Sequence, residues 1–177
     1  PDKPISAFLF IGPTGVGKTQ AAKVLTKYLF QSEDQLVRFD MNEFIDPYAS
    51  YRLIGDASAP EGQLTGQVKH NPFCVLLFDE IEKAHPQVHD LLLQLLGEGR
   101  LTNSIGKTVD FTNTIVIMTS NIGAREAGKT LGFGKKIEKE ASAYKRALES
   151  TFRPEFLNRI DKIVTFDKLQ LEDVKKI

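Results

Sequence analysis

The chain has 177 residues, with 23 Lys+Arg balanced by 23 Asp+Glu, three His, one Cys, no Trp and a 41% hydrophobic share. That length suits one domain able to bury about 70% of its unfolded surface, and the ordinary apolar content excludes global disorder. Zero formal net charge gives no broad pull toward nucleic acid or an anionic membrane; the lone Cys74 excludes an internal disulfide framework and fits a reducing compartment; and the longest strongly apolar runs, such as Cys74–Phe78, fall far short of the roughly 20 residues a spanning helix needs.

The opening, Pro1-Asp2-Lys3-Pro4, carries no basic-then-apolar leader and reads as cut from something longer. Ala7–Ile11 is a predicted buried strand, followed by a predicted helix over Thr19–Leu29 with Ala22, Val24, Leu25, Tyr28 and Leu29 at helical spacing. Leu36–Phe39 is a second strand candidate. Cys74–Phe78 is a third, uniformly apolar as expected of a parallel strand covered on both faces. Pro86 suits the first position of a helix whose apolar stripe runs over Val88–Leu96 and which Gly97 would close. Gly99–Thr112 reads as a hairpin or ordered loop, Thr114–Thr119 as a β-branched strand, Lys129–Glu140 as a surface loop and Lys162–Phe166 as a fifth strand. Leu171–Ile177 resembles the first turns of a helix. Strand–helix alternation of this kind predicts an α/β layer with a mostly parallel sheet.

Gly12-Pro13-Thr14-Gly15-Val16-Gly17-Lys18-Thr19 fills every fixed position of G-x-x-x-x-G-K-[ST], directly after a strand and opening a helix. The glycines let successive N–H groups turn toward phosphate oxygens at a helix N-terminus. Lys18 supplies charge for β- and γ-phosphates, and Thr19 offers a hydroxyl to Mg²⁺. Val75–Glu80 is an apolar strand ending in two acids; Asp79 would hold the Mg²⁺ and Glu80 would orient the attacking water. Two acids in series argue for hydrolysis rather than mere binding. Asn121, just after the Thr114–Thr119 strand, falls at the same sheet edge, where it would reach the γ-phosphate or the water; an Asn there is also an ordinary turn former.

Together these residues resemble the AAA+ ATPases, and more narrowly the second ATPase ring of the Clp unfoldases. The resemblance covers nearly the whole chain: GPTGVGKT at Gly12–Thr19, RFDMNEF at Arg38–Phe44, RLIG at Arg52–Gly55, LLFDEIEKAHPQV at Leu76–Val88, GRLT at Gly99–Thr102, TSN at Thr119–Asn121 and FRPEFLNRID at Phe152–Asp161. It implies a P-loop NTPase three-layer sandwich with a mostly parallel five-stranded sheet. Residues 1–168 would be the large ATPase subdomain and 169–177 the start of a small helical subdomain that is otherwise missing. By the same resemblance ATP and Mg²⁺ are the cofactors, Lys18, Thr19, Asp79 and Glu80 the nucleotide, metal and catalytic residues, and Asn121 the sensor.

Arg159 matches the family's arginine finger, which acts on the nucleotide of a neighbouring subunit and so implies a homo-oligomeric, hexameric ring. On spacing alone Arg159 would instead pair with Glu155 on a short helix; Arg153 is a weaker finger candidate. Leu131-Gly132-Phe133 resembles the tripeptide by which protease-coupled Clp unfoldases dock on a ClpP-like peptidase, and tucking back onto this domain is its alternative. This favours the ClpA/ClpC branch, in the cytoplasm or an organelle of bacterial origin, with protein substrates and adaptors as partners. One part departs: after RLIG the family's aromatic pore loop is about five residues short by our alignment, and neither Phe nor Tyr occurs between Tyr51 and Phe73.

The expectation is therefore an ATP-hydrolysing unfoldase module that feeds a peptidase. The runner-up is an ATP-switched assembly or disaggregation module that remodels partners without feeding a protease. Balanced charge disfavours a nucleic-acid track. His85 and His89 lack a third ligand at metal spacing, and Cys74 reads as a small buried hydrophobe.

Overall fold

A computed structural model describes residues 2–103, 105–124 and 136–167, with the backbone alone described for 136–140. Five strands, β1 (Ser6–Ile11), β2 (Leu36–Asp40), β3 (Val75–Asp79), β6 (Ile115–Ser120) and β7 (Lys162–Thr165), form one sheet in the order β2-β3-β6-β1-β7. Every neighbouring pair is parallel. β4 (Arg100–Thr102) and β5 (Thr108–Asp110) form a separate antiparallel hairpin, which resolves the Gly99–Thr112 segment.

The period-2 pleat sends alternate side chains to opposite faces, and each face has its own core. Leu9, Ile11, Leu76, Phe78, Val116 and Met118 pack on one side, against α2 (Ala49–Ile54), α3 (Gln63–His70) and α4 (Pro86–Glu98). Phe10, Val75, Leu77, Ile115 and Ile117 pack on the other, against α1 (Lys18–Phe30). The result is the three-layer sandwich expected. β3 and β6 are buried along their whole length, which is why Val75–Phe78 and Ile115–Met118 are apolar without alternation.

Three expectations are corrected. The face α1 turns inward is Lys18, Ala22 and Thr26, with Leu25 alongside, while Val24, Tyr28 and Leu29 are exposed. Helix periodicity was legible, but the inward face includes the polar Lys18 and Thr26, which an apolar pattern does not mark. Gly97 does not end α4: the helix runs to Glu98 and Gly99 caps it in the left-handed conformation at φ 59°, its N–H donating to Leu95 O at 2.9 Å. Lys129–Glu140 is not all loop, since α5 (Lys136–Thr151) begins at Lys136. It is followed by the short α6 (Pro154–Asn158). Leu131, Gly132, Phe133 and residues 169–177 lie outside the described residues.

Candidate functional site

In a parallel sheet the loops at the strand C-termini share one edge. Because β3, β6 and β1 are adjacent, the loop after Ile11, the acids ending β3 and Asn121 after β6 converge there. They border a cavity of about 340 Å³ lined by Thr14, Gly15, Gly17, Lys18, Thr19, Asp79, Glu80 and Asn121, joined by Gln20, Arg38, Asp40 and Thr119. Gly12, Pro13 and Val16 shape the loop without lining the cavity. Gly12 is obligatory: it has φ 151°, and a Cβ there would lie 2.4 Å from Phe166 O.

Lys18 is 7% exposed. Its ammonium donates to Gly12 O at 2.8 Å, Pro13 O at 2.7 Å and Asn121 Oδ1 at 2.8 Å, which uses all three of its protons. Burial draws its pKa below the usual lysine value, opposed by the negative charges of Glu82, Glu80 and Asp79. Asp79 is 4% exposed and fully partnered. Its Oδ1 accepts from Thr19 Oγ1 at 3.1 Å and Thr119 Oγ1 at 3.0 Å, and its Oδ2 from Arg38 Nε at 2.5 Å.

Glu80 adopts φ 56°, ψ 54°, a left-handed conformation that is rare for a side chain of its size. The strain is concentrated at the residue whose carboxylate faces the cavity. Asn42 Nδ2 donates to Glu80 Oε2 at 2.6 Å, and Asn121 Nδ2 donates to Glu80 Oε1 at 3.3 Å. Asn121 thus bridges Lys18 and Glu80, while its backbone N–H donates to Glu82 Oε1 at 3.0 Å. It is therefore no mere turn former. Every nucleotide-site residue named from the sequence reaches this one edge.

Sequence reasoning missed Arg38, Asn42, Thr119 and Glu82. Register supplies them: Asp40 lies opposite Asp79 and Phe78 opposite Met118, which brings the β2 and β6 ends to the Asp79–Glu80 pair. The available signal was that Arg38 and Asn42 fall inside RFDMNEF, Glu82 inside LLFDEIEKAHPQV and Thr119 inside TSN, the stretches that carry the resemblance.

Arg159 stands elsewhere, exposed on the surface. Among the described residues no hydrogen bond or ion pair engages its guanidinium, so the expected alternative, pairing with Glu155, is not formed. Its side chain lies along α4, where a Cβ on Gly97 would be 3.4 Å from Arg159 Cζ. Arg153, by contrast, is ion-paired with Asp90.

A hydroxyl beside a carboxylate, both hard oxygen donors facing a phosphate-shaped loop, fits Mg²⁺, which is held by few protein ligands plus phosphates. Among the described residues no group of three or more His, Cys, Asp or Glu could hold a metal. His85 caps α4, its Nδ1 accepting from Gln87 N at 3.3 Å, and His89 bonds a backbone carbonyl. Cys74 is buried, and burial pushes its thiol up to about 11.

The AAA domain (Cdc48 subfamily) profile matches residues 3–163. The chain is 48% identical over 185 residues to "Chaperone protein ClpB 1" of Synechococcus elongatus, covering all of this chain and 21% of the relative. It is 47% identical over 192 residues to "ATP-dependent Clp protease ATP-binding subunit ClpC" of Staphylococcus aureus, covering all of this chain and 23% of the relative. Among solved structures it is similar to the S. cerevisiae Hsp104-ADP complex, with TM-score 0.88 and 44% identity over 100% of this chain and 31% of that one. The chain thus spans about a fifth of the curated relatives it matches.

Proposed function

Because the chain belongs to the AAA domain (Cdc48 subfamily) family, as an ATPase module of the Clp type, we propose that it drives a ring-forming protein unfoldase by hydrolysing ATP, and that the ring delivers its substrates to a partner peptidase. The observation that carries the reading is the convergence of Lys18, Thr19, Asp79, Glu80 and Asn121 on one cavity edge. In this reading residues 1–168 are the large ATPase subdomain, 169–177 open a smaller one, and the ring works in the cytoplasm or an organelle of bacterial origin.

The loop N–H groups from Thr14 to Thr19 receive the phosphates, and Lys18 exchanges carbonyl contacts for β- and γ-phosphate oxygens. Thr19 and Asp79 would hold Mg²⁺, which when bound neutralises charge on the β- and γ-oxygens. Glu80 takes a proton from the attacking water at its carboxylate, held in place by Asn42 and Asn121. Asn121 registers the γ-phosphate in this reading, which its bonds to both Lys18 and Glu80 support. Arg159, exposed and unpaired among the described residues, serves as the cation presented to the nucleotide of a neighbouring copy; Arg153, held by Asp90, does not.

Peptidase delivery is supported by the Leu131-Gly132-Phe133 tripeptide and by the similarity to the ClpC subunit. A second reading, remodelling of protein partners without a protease, is favoured by the segment between α2 and α3. Asp56 closes that segment into a tight turn, accepting from Ser58 N and Ala59 N at 2.8 Å each, and it carries no Phe or Tyr.

The experiment is degradation of a stable tagged substrate by the full-length protein with a ClpP-type peptidase. Degradation that is lost in E80Q and on deleting Leu131–Phe133 supports delivery. ATP-dependent remodelling that persists without any degradation supports the second reading.

A further inference from the structure

His89 has no part in the site described so far, yet it touches both segments that carry the proposed chemistry. Its Nε2 lies 2.7 Å from the carbonyl oxygen of Ile81. A carbonyl only accepts, so Nε2 carries the proton and donates. Ile81 opens the 3-10 turn Ile81–Lys83 that directly follows the strained Glu80.

The other faces of the imidazole meet Phe152 at 5.4 Å, edge-on, and Phe156 at 5.8 Å. These two rings stack on each other at 5.3 Å, and both are buried. Phe156 lies in the Pro154–Asn158 helix, and its carbonyl accepts the backbone N–H of Arg159 at 3.2 Å. The Arg153–Asp90 ion pair ties the same segment to α4 one residue beyond His89. His89 is thus a wedge with a donor on one side and aromatic contacts on the other.

We propose that His89 is a positioning residue that fixes the Glu80 turn and the Arg159 helix of one subunit relative to each other. In a ring this has a directional consequence. Glu80 serves the subunit's own nucleotide and Arg159 the neighbour's, so His89 joins two successive active sites through one side chain. The proposal rests on the reading of Arg159 as acting on a neighbouring copy.

The test uses mixed rings of the full-length protein. R159A subunits supply Glu80 and E80Q subunits supply Arg159, so only the mixture contains complete sites. Regained ATPase activity in that mixture is the control; its absence overturns the neighbour reading before His89 is touched. Next, H89Q, which keeps a donor but loses the ring, and H89F, which keeps a ring but loses the donor, are introduced into one partner at a time. In the E80Q subunit, H89Q lowers kcat about fivefold, the worth of one ordinary contact, with KM within about twofold, and H89F restores it. In the R159A subunit the order reverses, H89F lowering kcat and H89Q restoring it. Equal losses from both variants in both positions, or no loss in either, overturn the proposal.

Discussion

Asn42 holds Glu80: its side-chain amide donates at 2.6 Å to Oε2 of a carboxylate whose own backbone sits in the left-handed region. Asn42 is also bonded to Asp40 Oδ1 at 2.8 Å, so the amide is itself oriented. Substituting Asn42 with Ala removes one positioned donor without touching the phosphate loop. We expect N42A to lower kcat for ATP about fivefold with KM within about twofold, since one hydrogen bond is worth about 1 kcal/mol. Steady-state ATPase measurements on intact rings check this, and an unchanged kcat would show that Asn42 does not position the base.

The left-handed backbone at Glu80 makes a separate, structural prediction. A side chain in that conformation costs about 1–2 kcal/mol relative to glycine. E80A and E80G lose the same carboxylate contacts and both lose hydrolysis. They differ in backbone freedom alone. Urea unfolding should therefore place E80G above E80A by about 1 kcal/mol, against the usual order in which glycine destabilises. Equal stabilities would mean that the Glu80 turn relaxes once its side chain is gone.

How much of this was written in the sequence depends on whether a feature is local. The phosphate loop, the apolar strand ending in Asp79–Glu80 and the β-branched strand before Asn121 are short-range patterns, and each is placed as read. Arg38, Asn42, Thr119 and Glu82 were not read because their contacts cross strand boundaries. Sequence periodicity does not state that β2 and β6 flank β3. The inward face of α1 was misread for the opposite reason: Val24, Tyr28 and Leu29 are apolar but exposed, while the buried positions are Lys18, Ala22 and Thr26, two of them polar. Gly97 was taken for a helix end, whereas the helix runs one residue further and the left-handed cap falls on Gly99.

Two glycines of the phosphate loop should respond differently to alanine. A Cβ at Gly12 would stand 2.4 Å from the backbone oxygen of Phe166, so the residue just after β7 or the loop has to move. At Gly15 a Cβ meets nothing within 4 Å, and the cost is that of φ 80° alone. We expect G15A to destabilise by about 1–2 kcal/mol and G12A by more, with overpacking adding about 1–3 kcal/mol. Thermal unfolding of the two variants checks the order; G12A at or above G15A in stability would contradict the close approach of Gly12 to Phe166.

Cys74 is buried against the core, and burial holds its thiol up at about 11. Thiolate is the reactive form, so little of it exists near neutral pH. A thiol reagent such as DTNB should modify the folded protein only as fast as the chain opens, and at once in denaturant. Fast modification of folded protein would place Cys74 at an accessible surface.

His89 predicts how stability depends on pH. Burial lowers its pKa below the ordinary value of 6.5, reinforced by the positive charge of Arg153 and by His85, and opposed by the bond to Ile81 O and by Glu82. Asp90 faces the same region through its pair with Arg153. The unfolded chain therefore takes up a proton on this residue at a higher pH than the folded chain does. Stability from the neutral imidazole is fully present above about 6.5 and is lost as the pH falls below that value toward the depressed folded pKa. H89F cannot titrate and keeps an aromatic ring between Phe152 and Phe156. The wild-type unfolding midpoint should consequently fall more steeply than that of H89F between about pH 7 and 5, the range over which imidazoles titrate. Parallel pH profiles would show that the imidazole gains its proton equally well in the folded and unfolded chains, which its place between two buried rings argues against.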